Sequence, residues 1–258
     1  MITHKANIIA NIAAAILIGA AAFFYGISWW YLLFPFGIWL ITAVIGSGLV
    51  QTGYHVRTFC SNKDVTEKLI AITFDDGPTP ETPKVLELLK KYDVKATFFC
   101  IGRQIEKYPD ILQQVIDEGH TVGNHTYSHS PKMSLWNTEA VSKELTKTDE
   151  IIYNIVGVRT KLYRPPYGVT FPQLARSIKV TKHKVIGWNI RSLDAVIDDE
   201  QHILKRITSR LKPGSIILLH DTSQKSVNVL EQLLVILQRE NYKPVTVDKL
   251  LNIKAYED

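Results

Sequence analysis

A long stretch without charged residues near the N-terminus constrains this chain most strongly. From Ala6 to Tyr54, 49 positions contain no Asp, Glu, Lys or Arg. As one α-helix they would extend roughly 70 Å, about twice the ~30 Å hydrocarbon thickness of a bilayer. The stretch therefore predicts a hairpin of two membrane-spanning helices, Ile8 to Tyr25 and approximately Leu32 to Val50.

Residues between and within the two predicted helices agree with a hairpin. The connection contains Trp29, Trp30 and Tyr31, and such aromatic residues concentrate at membrane interfaces. Pro35 falls in the first turn of the second helix, where its missing N–H costs least. A cleaved signal peptide is an alternative for the first helix, because small residues at 19–22 follow an apolar core. The second apolar run would then remain as the anchor.

The flanking charges bear on orientation. Lys5 precedes the hairpin and Arg57, Lys63 and Lys68 follow it, whereas the connection between the helices has no charge. The positive-inside rule would place both ends, and the large domain, in the cytoplasm. We divide the chain into a membrane anchor, residues 1–55, and one large domain, residues 56–258.

The composition of the later chain excludes some partners. The formal net charge is only +5 over 258 residues, and no basic stripe with interleaved aromatics occurs. Nucleic acid is therefore a poor candidate, and the oligomeric state is open. Cys60 and Cys100 lack C-x-x-C spacing, which favours two unpaired thiols over a disulfide.

Beyond Gln51, short apolar runs alternate with amphipathic stretches. Strict alternation of strand and helix predicts the α/β class with a parallel sheet, and about seven such units indicate a barrel. In parallel barrels the reactive groups gather at the carboxyl ends of the strands. The predicted strands are 69–74, 96–101, 120–123, 162–163, 184–190, 215–219 and 244–247, and the predicted helices are 83–92, 105–118, 138–155, 171–178, 199–211 and 227–240.

Two adjacent carboxylates, Asp75 and Asp76, follow the first of these strands. Carboxylates at the end of an apolar strand are costly unless a cation compensates them. Neighbouring side chains point in different directions, so one can bind a metal while the other accepts a proton. A plain turn is the competing interpretation, because Asp, Gly and Pro at 75–78 favour turns.

His125 and His129 stand four residues apart after the third predicted strand. In a helical turn, side chains at this spacing share a face and suit one divalent cation. With one Asp they form a two-histidine, one-carboxylate set that suits catalytic Zn²⁺ and tolerates Co²⁺ or Ni²⁺. Two unrelated surface histidines are the alternative.

Two further motifs also follow predicted strands. Arg164 opens an Arg-Pro-Pro-Tyr-Gly segment whose prolines stiffen the backbone, so Arg164 and the Tyr167 N–H are held in fixed positions. His220 ends the apolar run 216–219. A rigid loop and a satisfied core histidine are the respective alternatives.

In order and spacing, these four motifs resemble those of the polysaccharide deacetylases with the NodB homology domain, carbohydrate esterase family four. The resemblance covers about Glu67 to Leu251 and leaves the hairpin outside it. It implies a distorted (β/α)₇ barrel and a metal-dependent hydrolase that removes N-acetyl groups from an N-acetylglucosamine-containing polysaccharide. The resemblance also favours a domain that faces the cell envelope, whereas the positive-inside rule places the domain in the cytoplasm.

The same resemblance implies roles for individual residues. The residues and roles are Asp75 as catalytic base, Asp76, His125 and His129 as ligands of the metal, Arg164 as partner of the base, the Tyr167 N–H as oxyanion donor, His220 as general acid tuned by Asp194, and Leu218, Tyr167 and Trp188 as substrate contacts.

One motif departs from the family pattern. Where the family typically has Asp-x-x-Asp-Trp, this chain has Arg191 and Ala195 at the ends and retains only Asp194. Proton delivery by His220 can survive this change, whereas one wall of the acetyl pocket is altered. The departure places the substrate in doubt more than the chemistry.

Several alternatives follow from this doubt. Peptidoglycan-like glycan is the first substrate expected, followed by chitin-like oligomers or a lipid-linked acetylated sugar. A metal-dependent amidase on a non-sugar or lipid-linked substrate is one rival function. A catalytically weakened sugar-binding membrane protein is the other. The expected partners are an acetylated glycan and the lipid bilayer.

Overall fold

The structure is a computed structural model and describes residues 3–257. Two helices, α1 (His4–Tyr25) and α2 (Leu33–Gly48), form the N-terminal hairpin, with a 3₁₀ turn at Trp29–Leu32 between them. α1 ends where Gly26 takes a left-handed conformation, φ 68°, at no steric cost to glycine. By length and composition both helices are candidates to cross a membrane, and most of their large apolar side chains are exposed. The helices lie within a few residues of the predicted pair.

A buried asparagine joins the hairpin to the chain that follows it. The Asn7 side-chain amide donates to Thr42 Oγ1 at 2.6 Å and to the Tyr54 hydroxyl at 2.7 Å. The Tyr54 ring lies so close to Gly46 that a Cβ there would be 2.4 Å from it. Because a polar side chain among apolar helices is costly without partners, these bonds favour one arrangement of α1, α2 and Tyr54.

Within residues 3–257, nine short strands form one curled sheet in which every strand pair is parallel. The order is β1-β6-β5-β4-β3-β2-β8-β7, with β9 beside the start of β2. The strands are β1 (Thr58–Phe59), β2 (Leu69–Asp75), β3 (Thr97–Cys100), β4 (Thr121–Asn124), β5 (Leu162–Tyr163), β6 (Lys184–Ile186), β7 (Ile190–Arg191), β8 (Ile216–His220) and β9 (Lys243–Pro244).

The two ends of the curled sheet lie next to each other. β6 pairs with β5 and with β1, whereas β7 pairs with β8. Only residues 187–189 separate β6 from β7, so this short connection links the two ends of the sheet, which are not paired with each other among the described residues. The sequence predicted one strand over 184–190, and the structure divides it because its two halves pair with different neighbours.

Helices cover the outside of the sheet. Most bounds lie within a few residues of the predictions, but one predicted helix, 105–118, is two helices, because Tyr108 leaves helical geometry before Pro109. The short elements β1 and α10 were not predicted. The helices are α3 (Thr82–Lys91), α4 (Gly102–Lys107), α5 (Pro109–Asp117), α6 (Thr138–Val156), α7 (Pro172–Thr181), α8 (Glu200–Thr208), α9 (Gln224–Arg239) and α10 (Val247–Leu251).

The alternation of side chains along the strands creates two apolar layers. Along β2, Ile70, Ile72 and Phe74 pack with the helices, while Ala71 belongs to the cluster inside the barrel. Because successive side chains face opposite sides, Asp75 shares the inner face with Ala71. The same period places His220 on the inner face of β8. The fold therefore turns both strand-end residues towards the barrel mouth.

Candidate active site

The site is built at the carboxyl ends of adjacent strands. In the sheet register, Asp75 of β2 lies opposite His220 of β8, and β2 also pairs with β3, which pairs with β4. The loop after β4 carries His125 and His129. The structure thus brings the predicted residues together where parallel barrels gather reactive groups.

Three side chains converge on one point. The ligand atoms of Asp76, His125 and His129 all lie within 4.8 Å of one another. Asp76 Oδ1 is 3.5 Å from His125 Nε2 and 3.2 Å from His129 Nε2. The predicted helical turn is wrong, however: residues 125–129 form a loop in which Thr126 and His129 have φ of 66° and 52°. Left-handed conformations, not a helix face, bring the histidines together.

The donor set fits a divalent cation. Asp76 Oδ1 is buried and has no hydrogen-bond partner within residues 3–257, although such an atom normally finds one. His125 Nδ1–H donates to the Arg164 carbonyl at 2.8 Å, which leaves Nε2 with its lone pair towards Asp76. Two imidazoles and a carboxylate suit Zn²⁺.

Arg164 fixes the second carboxylate. The Arg164 guanidinium is fully buried, and its Nη1 donates to Asp75 Oδ1 at 2.8 Å and to Thr73 Oγ1 at 2.7 Å. Nη2 and Nε donate to the carbonyls of Gly187 and Ile186. Asp75 Oδ2 lies 3.8 Å from His125 Nε2 and is not held by the guanidinium. One oxygen of Asp75 is anchored while the other faces the histidines.

His220 forms a buried pair with Asp194. His220 Nδ1–H donates to Asp194 Oδ1 at 2.8 Å, and the His220 backbone N–H donates to Asp194 Oδ2 at 2.8 Å. Burial alone would lower the pKa of His220, but the hydrogen bond and charge of Asp194 outweigh it and raise the pKa to about 9. His220 Nε2 lies 3.9 Å from Asp76 Oδ2. A protonated imidazole therefore faces the carboxylate side of the site.

The predicted substrate contacts line one pocket with these groups. A cavity of about 200 Å³ is lined by Leu218, Trp188 and Tyr167. The three candidate metal ligands and His220 line the same cavity. The Tyr167 and His129 rings lie 4.7 Å apart between centroids. The backbone N–H groups of the next two residues donate to Pro165 and Pro166, whereas the Tyr167 N–H donates to no group in residues 3–257.

Known proteins are similar in sequence to this chain. Residues 62–186 match the polysaccharide deacetylase family. A peptidoglycan-N-acetylglucosamine deacetylase of Bacillus cereus is 35% identical over 186 residues, which cover 70% of this chain and 67% of the relative. The peptidoglycan-N-acetylmuramic acid deacetylase PdaC of Bacillus subtilis is 35% identical over 196 residues, 76% of this chain but only 41% of PdaC.

A solved structure agrees with the sequence relatives. The crystal structure of the Bc1960 peptidoglycan N-acetylglucosamine deacetylase superposes with a TM-score of 0.72 at 32% identity, covering 78% of this chain and 94% of that chain. The chain belongs to the polysaccharide deacetylase family. It is therefore an enzyme of the polysaccharide N-deacetylase class, and the predicted fold is confirmed.

The altered motif lies on the wall of this deacetylase pocket. Arg191 and Ala195 are both exposed and both line the cavity. The Arg191 guanidinium carbon lies 5.9 Å from the centroid of the Trp188 ring. The two departures therefore change the surface that meets a substrate, while Asp194 behind them remains buried.

Some supporting residues in this deacetylase could not be recognised from sequence patterns. Ser192 and Ser226 each donate a hydroxyl hydrogen bond to Asp194, at 2.7 and 2.8 Å, and Thr73 bonds to Arg164. Serine and threonine are too common for such roles to show in a pattern. The inward alternation of β2 was the one signal available for Thr73, two residues before Asp75.

Proposed function

We propose that this chain is a membrane-anchored, metal-dependent deacetylase that removes N-acetyl groups from N-acetylglucosamine units of an envelope glycan of the peptidoglycan type. The observation that carries the proposal is the convergence of Asp76, His125 and His129 beside a carboxylate, Asp75, with one free oxygen. The names of the bacterial relatives support the choice of glycan. Zn²⁺ is the proposed ion, because two imidazoles and one carboxylate are typical of catalytic zinc.

In the proposed reaction, Asp75 acts as the base. Asp76, His125 and His129 would hold a divalent cation, which would supply Lewis acidity at the acetamide carbonyl and at water. Arg164 holds Asp75 Oδ1, so Oδ2 is free to accept a proton from the attacking water. The Tyr167 N–H, which donates to no group among the described residues, is available to stabilise the negative charge that develops on the carbonyl oxygen.

His220 completes the proposed reaction as the acid. With its pKa raised to about 9, His220 carries a proton on Nε2 at neutral pH. Asp194 holds the opposite ring nitrogen, which fixes the direction of Nε2. Transfer of this proton to the sugar nitrogen allows the C–N bond to break. The products are acetate, which has gained the water oxygen, and a free sugar amine.

The hairpin is proposed as the membrane anchor of residues 1–55, with the catalytic domain of residues 56–258 on the envelope side. The two apolar helices and their exposed side chains support the anchor. The peptidoglycan substrates in the relatives' names support the envelope side of the membrane. Protease digestion of intact spheroplasts tests the orientation: loss of the domain is expected, and full protection would place it in the cytoplasm.

The activity test is acetate release by the full chain from a panel of acetylated substrates. N-acetylglucosamine oligomers and peptidoglycan fragments are expected to yield acetate and free amine in equal amounts. A chelator should abolish release and Zn²⁺ should restore it. Stoichiometric metal binding without acetate from any substrate would instead indicate a sugar-binding protein. Release only from non-sugar acetamides would indicate an amidase.

A further inference from the structure

The hairpin joins the barrel at the rim that carries the active site. The Thr170 backbone N–H donates to the Ser47 carbonyl at 2.9 Å, and the Gln51 amide donates to the Trp188 carbonyl at 3.1 Å. Thr170 lies in the loop after β5, and Trp188 lies in the loop after β6. The two barrel residues that bond to the hairpin therefore both belong to loops at the carboxyl ends of strands. Trp188 itself lines the catalytic cavity.

The contact between hairpin and rim is close-packed. Val50 is almost fully buried and belongs to the cluster inside the barrel with Trp188 and Leu218. A Cβ added at Gly187 would lie 3.1 Å from Val50 Cγ1. The Thr58 hydroxyl donates to the Val50 carbonyl at 2.7 Å, which ties β1 to the same point. The end of the hairpin is thus held against the barrel and is not a free linker.

These contacts limit the distance between the apolar helix and the catalytic loop. Ser47 lies next to the last residue of the second candidate span. Thr170, bonded to it, is three residues from Tyr167, and three residues reach at most about 11 Å. The oxyanion donor therefore lies within a short distance of the membrane surface if α2 spans the bilayer.

The same rim carries exposed apolar side chains. Leu135, in the loop after β4, is 82% exposed, and Val196, after β7, is 72% exposed. The neighbours of Leu135, Met133 and Trp136, pack in one cluster with Val56, just beyond the hairpin. Apolar side chains exposed at the rim that also holds the hairpin are available to contact a membrane or a partner. Their continuity with the hairpin favours the membrane.

We infer that the active-site mouth faces the membrane surface, and that the substrate is an N-acetylated glycan attached to a membrane lipid. This inference rests on the proposed deacetylase function and on the hairpin as a membrane anchor. A mouth at the bilayer surface meets glycan held by a lipid at high local concentration. Polymer strands farther from the membrane are out of its reach.

The full chain in lipid vesicles tests this substrate class. The same N-acetylglucosamine oligomer is supplied either free in solution or attached to a dialkyl lipid in the vesicles. The lipid-attached form should be deacetylated at least about 100-fold more efficiently at equal bulk concentration. Equal efficiency on both forms would overturn the inference and leave the deacetylase function intact.

Two matched variants test whether the active-site mouth faces the membrane or whether the enzyme and the lipid-attached substrate are merely bound to the same membrane. Leu135→Asp should lower the rate on the lipid-attached oligomer about tenfold, because a charge replaces an apolar contact with the bilayer. The rate on the free oligomer should stay unchanged. Val235→Asp alters a side chain that is 50% exposed on α9, away from the rim, and should change neither rate. Identical behaviour of the two variants contradicts the inference.

A measurement without catalysis tests the geometry independently. A fluorophore on Leu135→Cys should be quenched by nitroxide lipids, whereas one on Val235→Cys should not, after subtraction of the labelled wild-type chain. Absence of quenching at position 135 would contradict the inference that the active-site mouth faces the membrane, even if both oligomers were deacetylated. If neither oligomer releases acetate, the proposed function fails, and quenching still decides the geometry.

Discussion

Two walls of the catalytic pocket differ in how far they keep the family pattern. The metal wall comprises Asp75, Asp76, His125 and His129 with Arg164 behind them, and every motif residue is present. The acid wall comprises residues 191–195 with His220, and two of its motif positions differ. Both walls reach the same cavity of about 200 Å³.

On the acid wall, the motif residue that is retained is buried, whereas the two motif positions that differ are exposed. Asp194 is 0% exposed and accepts hydrogen bonds from His220, Ser192 and Ser226. Arg191 and Ala195 are exposed at the mouth. A change at Asp194 would leave buried donors without a partner, which is costly, whereas exposed positions vary freely. The comparison teaches that the proposed proton-transfer residues are retained while the surface proposed to face the substrate has diverged.

The largest effect is expected on the metal wall. Asp75→Asn removes the proposed base while keeping a side chain of the same shape beside Arg164. We expect kcat to fall by about 10³-fold, within the range of general-base contributions. Metal content should be unchanged, because Asp76, His125 and His129 remain. The measurements are acetate release at saturating substrate and bound metal per chain.

The matched control for this prediction is Asp76→Asn, which removes a metal ligand beside an intact base. It should lower metal affinity as well as activity. Near-normal turnover by Asp75→Asn would show that another group accepts the proton. Metal loss in both variants would show that Asp75 itself belongs to the ligand set, and the distinction between base and ligand would fail.

A smaller effect is expected from Asp194→Asn on the acid wall. Without the carboxylate, burial is the dominant influence and lowers the pKa of His220 from about 9. His220 must be protonated to act as the acid, so activity is lost as the pH rises through its pKa. The alkaline limb of kcat should therefore move to lower pH, with a loss of about 10- to 100-fold at neutral pH.

The pH profile of kcat checks this prediction against an exposed carboxylate. Asp198→Asn changes a fully exposed side chain that pairs with Lys225 at 3.1 Å, and its profile should match the wild type. An unmoved alkaline limb in Asp194→Asn would mean that His220 is not the group that titrates there. The acid wall would then lose its proposed role.

The positions of the proposed catalytic residues were predictable because they follow from strand periodicity. Apolar runs marked β2 and β8, and a period of two turned Asp75 and His220 inward at the ends of these strands. Alternation of strands and helices predicted the parallel sheet, and parallel strands end at one rim. Motif spacing then assigned roles by resemblance to a family. These features depend on local sequence.

Other features depend on the backbone and on distant contacts. Asp76, His129 and Tyr167 have positive φ of 74°, 52° and 59°, an unfavourable conformation for non-glycine residues. Such strain persists only where the surrounding structure enforces it, so local propensity predicted a helical turn at His129. The contact of Val50 with Gly187 joins residues far apart in sequence, and no periodicity reports it.

The smallest effect is expected at the exposed end of the acid wall. Ala195→Trp restores the aromatic residue typical of the family at the edge of the pocket. An aromatic contact contributes about 0.5–1.5 kcal/mol, so kcat/KM for a neutral N-acetylglucosamine oligomer should rise by about two- to tenfold. The change should appear in KM, because residue 195 lines the pocket wall and is not one of the proposed proton-transfer residues. Steady-state kinetics with one oligomer measures the effect.

Ala195→Leu is the control, because it adds apolar bulk without a ring and should gain less. If Ala195→Trp instead lowers kcat/KM, the open wall is needed by the natural substrate, and the surface has diverged to admit a larger glycan. A gain by Trp would show that the wall merely lost a contact. Since Arg191 stays in place in both variants, the outcome separates the shape of this wall from its charge.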